Sequence, residues 1–141
     1  MNTNKFLLSG IAGGVVFFLL GWVAYGLLLM DFFTKHAGPA IGVSRAAANL
    51  LYLYLILGNL FFGFLLAYIF SKAGIASASN GLVTGAIVGF LASASYDCVS
   101  YATTWTSSRT SVIADIVTFT VISAIAGAVV ALVAGMGKKA A

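Results

Sequence analysis

The chain has 141 residues, of which 62% are hydrophobic and 7% charged, and its mean hydropathy is +1.10. A soluble domain carries roughly a quarter charged residues, so this composition excludes a chain that covers itself with polar surface. The net charge of +4 reads as membrane orientation and attraction to anionic lipid, not as a nucleic-acid interface.

A helix needs about 20 apolar residues to cross a bilayer, and the charge-free stretches Phe6 to Met30, Ala46 to Ser71, Ala73 to Tyr96 and Ile116 to Gly137 predict four helices at about 6–31, 46–71, 78–106 and 111–137. Together they predict a single transmembrane domain over 1–141. The expected fold class is all-α, an integral membrane four-helix bundle with antiparallel neighbours and both termini on the same side, because the connections are short.

Span one follows Lys5 and stays uncharged to Met30. That run exceeds the roughly 7–15 residues of a signal h-region and has no small-x-small exit, so it is expected to be retained. Loop one, Asp31 to Arg45, holds the only proline, Pro39, between Gly38 and Gly42, which stop the helix; His36 in this loop reads as a solvated residue. Span two carries Asn49 and Asn59, and Asn59, flanked by Gly58 and followed by Gly63, is the better candidate for an interhelical hydrogen bond of about 1 kcal/mol or less.

Loop two is short, about Lys72 to Ser79. Span three then places Gly81, Gly85, Gly89, Ser93, Asp97 and Tyr101 at four-residue spacing along one stripe. Loop three runs through Thr106 to Ser111, whose hydroxyls suit the start of a helix, and span four offers Ser123, Gly127, Ala131 and Gly135. Small residues allow close approach of backbones in lipid. Gly81, Gly85, Gly89, Ser93, Gly127 and Gly135 are therefore the expected packing residues. With Gly10 and Gly14 they predict that spans one, three and four cluster tightly at the end of the termini. An offset of 71 superposes Gly10, Gly14, Leu20 and Tyr25 on Gly81, Gly85, Leu91 and Tyr96, which suggests a duplicated hairpin; spans two and four show no sequence echo of each other.

Seven of the eight Trp and Tyr residues, all but Tyr68, fall toward loops one and three, as do the three acids Asp31, Asp97 and Asp115. Two readings stand: a polar, aromatic-lined recess on that face, or a one-sided aromatic belt. Asp97 is the most informative residue, roughly 25 Å along the third span from Asn80. A central Asp costs about 3 kcal/mol to insert, so it should face inward and seek a partner. The candidate recess is Asp97, Asp115, Asn59, Tyr25, Tyr96, Tyr101 and Arg109. Asp115 has a sufficient structural role near a helix start, and Asp97 could equally tie helices together; but two carboxylates in one recess would bind a cation or exchange protons. Lys5, Lys72, Lys138 and Lys139 lie on the side of the termini against Lys35, Arg45 and Arg109 opposite, which favours cytoplasmic termini.

One histidine and one cysteine exclude a bis-histidine haem site and paired-thiol chemistry within a single chain, and Cys98 reads as a small packing residue. The acids do not form a convincing metal set, and no phosphate loop or Ser/His pairing occurs. No cofactor is expected.

The pattern Gly21-Trp22-x-x-Tyr25-Gly26, with Asn59 and Tyr96-Asp97, resembles small uncharacterised four-helix bacterial inner-membrane proteins grouped as domains of unknown function. The resemblance covers nearly the whole chain and implies a bacterial-type plasma membrane location, with no catalytic residue to carry over. Small multidrug transporters are similar only in size, because span one here has no central glutamate. The leading expectation is a non-enzymatic bundle that supports a membrane partner or its own oligomer within the lipid bilayer. The alternatives are an ion- or proton-coupled transporter or channel using Asp97, and a lipid-acting enzyme.

Overall fold

A computed structural model describes residues 2–136; the predicted end of span four at Gly137, and Lys138 and Lys139, lie outside the described residues. The described part is all-α, with no strand among the described residues. Four helices are long and apolar enough to cross a membrane, Thr3–Leu28, Tyr52–Ala73, Ala78–Thr103 and Arg109–Gly135.

The first begins as α1 (Thr3–Gly21), where the Asn2 carboxamide accepts the N–H of Asn4 at 3.1 Å and so satisfies a free donor of the first turn. It continues without a break into a π-helical segment, Trp22–Leu28, and a short α2 follows at Met30–Lys35. Asp31 in its first turn and Lys35 in its last both complement the helix dipole.

The second long helix, α3 (Tyr52–Ala73), starts six residues later than the sequence suggests. Ala46 and Leu50 are extended around a 3-10 turn at Ala47–Asn49, and no side chain caps the start of α3. Gly74, at φ +70, ends it. Helices α4 (Ala78–Thr103) and α5 (Arg109–Gly135) are each capped by a serine, Ser77 accepting from the N–H of Asn80 and Ser108 from that of Ser111.

Glycines set the packing. A Cβ on Gly10 would meet Phe64 while one on Gly14 would meet Leu60, so α1 and α3 run antiparallel. Likewise Gly81 faces Ala131 and Gly127, Gly85 faces Gly127 and Ser123, and Gly89 faces Ser123 and Phe119, so α4 and α5 run antiparallel. The two pairs share one contact. A Cβ on Gly63 would press on the Gly10 carbonyl and lie 2.8 Å from Gly14 Cα; a Cβ on Gly127 would press on the Gly81 carbonyl and lie 2.9 Å from Gly85 Cα. The same triad of glycines thus closes both hairpins.

A third interface, α1 against α5, joins them. Phe17, Phe62 and Phe119 from α1, α3 and α5 stack with ring centroids 4.7 to 5.1 Å apart, and Leu66, Phe70, Ile122 and Val130 fill the buried core below. The tight neighbour of α1 is therefore α3, which the sequence reading left out, because Gly63 is small enough to accept the α1 backbone.

Helix α4 buries no large apolar side chain fully: its buried residues are Gly81, Gly85, Gly89, Ser93 and Asp97, and Val88 packs against the core while partly exposed. It is held to α5 by close backbone approach. Meanwhile large apolar side chains face outward on every long helix, among them Leu8, Phe61, Val99 and Val117, all more than half exposed. Apolar surface on this scale is foreign to a chain surrounded by water.

Candidate functional site

The α4 and α5 rows that meet glycine to glycine end in acids. On α4 the stripe runs Gly81, Gly85, Gly89, Ser93, Asp97; on α5 the four-residue row runs Ala131, Gly127, Ser123, Phe119, Asp115, Ser111. Because the helices are antiparallel and Gly89 already lies against Ser123 and Phe119, two further turns bring Asp97 opposite Asp115 and Ser111. Asp115 is indeed close enough to bear on the Asp97 carboxyl.

Tyr25 completes the group from the π-helical segment that follows α1. In the π-helical segment each N–H reaches five residues back, as Leu29 does to the Ala24 carbonyl at 2.8 Å, and such widened turns recur at functional sites because they redirect side chains. The phenol of Tyr25 lies near both Asp115 and Asp97, its ring 5.5 Å from that of Phe33.

Asp97 is 8% exposed and its Oδ2 has no hydrogen-bond partner; the buried hydroxyl of Tyr25 has none either. Ser93 cannot help, since its hydroxyl donates to Phe90 O at 3.3 Å in its own helix. Two carboxylates thus lie close together beside the Tyr25 phenol, and no cation of the described chain holds the Asp97 Oδ2. In a low-dielectric surrounding that arrangement is costly unless a mobile positive charge joins it.

The other candidates lie elsewhere. The Asn59 amide donates to Leu55 O at 2.6 Å, one turn back in α3. Tyr96 and Tyr101 point outward, 73% and 47% exposed, and Arg109 is exposed at the first turn of α5. Trp22, Tyr52, Tyr54 and Trp105 also face outward, so of the seven aromatics at this end Tyr25 alone turns in.

Loops one and three close this end in a way the sequence did not announce. The N–H of Gly38 donates to Thr106 O at 3.0 Å and that of Ala40 to Trp105 O at 3.1 Å. Ser108, besides capping α5, donates its hydroxyl to the His36 carbonyl at 2.5 Å. His36 is thus held in a loop clasp, with its ring 4.3 Å from that of Phe32. Only glycine fits at position 38, because a Cβ would lie 2.7 Å from Ser107 N and Thr106 C. Asp97 and Asp115 each sit about 9 Å from this clasp along their helices. The Gly38-Pro39 pair was the one available signal, and it marks a turn without naming what the turn binds.

An open groove of about 410 Å³ lies between α2 and the first half of α5, lined by Leu29, Phe32, Thr110, Ile113, Ala114, Val117 and Thr118. Its walls carry no acid, base or nucleophile beyond two threonine hydroxyls. One of these, Thr118, donates back to Ala114 O at 2.7 Å. Compared with protein-family models, curated proteins and solved structures, the chain matches none.

Proposed function

We propose that the chain is an integral membrane four-helix bundle, with antiparallel neighbours and both termini on one face, that binds and moves a small cation or a proton through Tyr25, Asp97 and Asp115. The observation that carries this reading is the buried, unpartnered Oδ2 of Asp97 beside a second carboxylate. An aspartate serving only to tie helices would donate or accept across an interface. This one accepts nothing at Oδ2, while its insertion costs about 3 kcal/mol. A bacterial-type plasma membrane, which the resemblance implies, and cytoplasmic termini, which the distribution of Lys and Arg favours, complete the reading.

The test is ion flux in proteoliposomes. Asp97→Asn keeps the shape and removes the charge, and it should reduce flux at least about tenfold, the scale on which loss of a charge-bearing group acts. Flux through Asp97→Asn equal to wild type, both above empty vesicles, would overturn the transport role.

A second reading, a bundle that supports a partner or its own oligomer, is favoured by α4, which rests on α5 and leaves Leu82, Val83, Ile87 and Leu91 exposed. Lipid covers such a face as well as protein does, so it ranks second. A lipid-acting enzyme would use the groove along α5, whose lining offers no group suited to acid–base work.

A further inference from the structure

We propose that Tyr25, Asp97 and Asp115 form a binding site for a hard, partly hydrated divalent cation of the Mg2+ and Mn2+ class. This deepens the ion-site reading above and rests on it.

Three observations select that class. The donors are all oxygens, two carboxylates and a phenol, with the Ser111 hydroxyl next along the α5 row; oxygen sets suit hard cations. The softer ligands point away: the His36 Nδ1 is within 2.9 Å of Phe32 O in the loop clasp and Cys98 is exposed. Second, two carboxylates meet with no lysine or arginine bound at Asp97 Oδ2, so one divalent ion balances their formal charge in a single event, whereas one monovalent ion leaves half of it uncompensated.

Third, the group brings together two carboxylates and no third acid of the described chain. Ca2+ asks for about six to eight oxygens, while Mg2+ keeps several waters and is held through one or two carboxylates. Asp97 meets the requirement of a ligand rather than a surface acid, being buried at 8% exposure with an unpartnered carboxylate oxygen and Asp115 close by.

The experiment is Mn2+ binding to the purified, metal-stripped chain in nanodiscs of neutral lipid, followed by electron paramagnetic resonance. One saturable Mn2+ per chain is expected, displaced by Mg2+ and not by Na+ or K+ at equal concentration. Affinity should fall at least about tenfold in Asp97→Asn and in Asp115→Asn, by about three- to tenfold in Tyr25→Phe, and stay unchanged in Asp31→Asn, an exposed acid at the same end. Thermal unfolding of each variant confirms that it folds, and the two Asp variants serve as independent tests.

Absent Mn2+ binding, or binding that Asp97→Asn and Asp115→Asn leave intact, overturns the inference. Asp97-dependent flux without Mn2+ binding sinks this inference and leaves the transport reading standing. Tight Mn2+ binding with flux indifferent to Asp97 does the reverse.

Discussion

Replacing Gly127 with alanine tests how α4 is attached. The new Cβ would sit 2.9 Å from Gly85 Cα and still closer to the Gly81 carbonyl, whereas carbon atoms rest about 3.5–4.0 Å apart. The two helices must therefore separate by up to about 1 Å along the row that fixes the register of Asp97 on Asp115. Overpacking of this kind costs about 1–3 kcal/mol, and alanine returns about 1 kcal/mol through its better helix propensity. Gly58 supplies the reference, because nothing lies within 4 Å of its would-be Cβ; Gly58→Ala should be neutral or stabilising by up to about 1 kcal/mol. Because the propensity gain is common to both, reversible unfolding in mixed micelles, followed by circular dichroism, should separate the two variants by the overpacking cost of about 1–3 kcal/mol. Gly63→Ala, which makes the equivalent contact in the other hairpin, should resemble Gly127→Ala. Equal stability of Gly127→Ala and Gly58→Ala would refute the argument that close backbone approach holds α4.

Further outcomes follow from the acid group and the loops. In cation-free micelles Asp97→Asn should raise stability by about 1–3 kcal/mol, since it removes a buried charge with no partner; a loss of that size in the same unfolding assay would make Asp97 a structural tie. Ser108→Ala removes both the α5 cap and the donor to the His36 carbonyl, so a loss of about 1–2 kcal/mol is expected, and an unchanged midpoint would argue against the clasp. Gly38→Ala drives a methyl into the Trp105–Ser107 backbone, and hydrogen exchange at the Ala40 amide should accelerate; unaltered protection there would show that the loops part without cost.

The four long helices were legible because composition and length alone decide them: no arrangement of 62% hydrophobic residues in spans of this length needs a finer signal. The glycine stripe on α4 was legible for the same periodic reason. What escaped was the partner row. Extending Ser123, Gly127, Ala131 and Gly135 backward by two steps reaches Phe119 and Asp115, but Phe119 interrupts the run of small residues and hides its continuation. The equivalence of the hairpins was half visible, since the matching glycines of α3 and α5 follow loops of different length and fall out of a single offset. Tyr25 was singled out for its place in the chain, but the π-helical segment that holds it is specified by no residue type. Asn59 shows the converse: its neighbours Gly58 and Gly63 suggested an interhelical bond, while its amide finds the nearer carbonyl of Leu55, the local competitor open to a polar side chain in a helix.

The most direct test of the account is a double-mutant cycle of ion flux in proteoliposomes, comparing wild type, Asp97→Asn, Asp115→Asn and the double variant. If the two carboxylates act as one site, each single replacement removes most of the flux and the double variant is no worse than either, because groups that work as a unit are not additive. Multiplied effects in the double variant, or flux retained in Asp115→Asn, would contradict it.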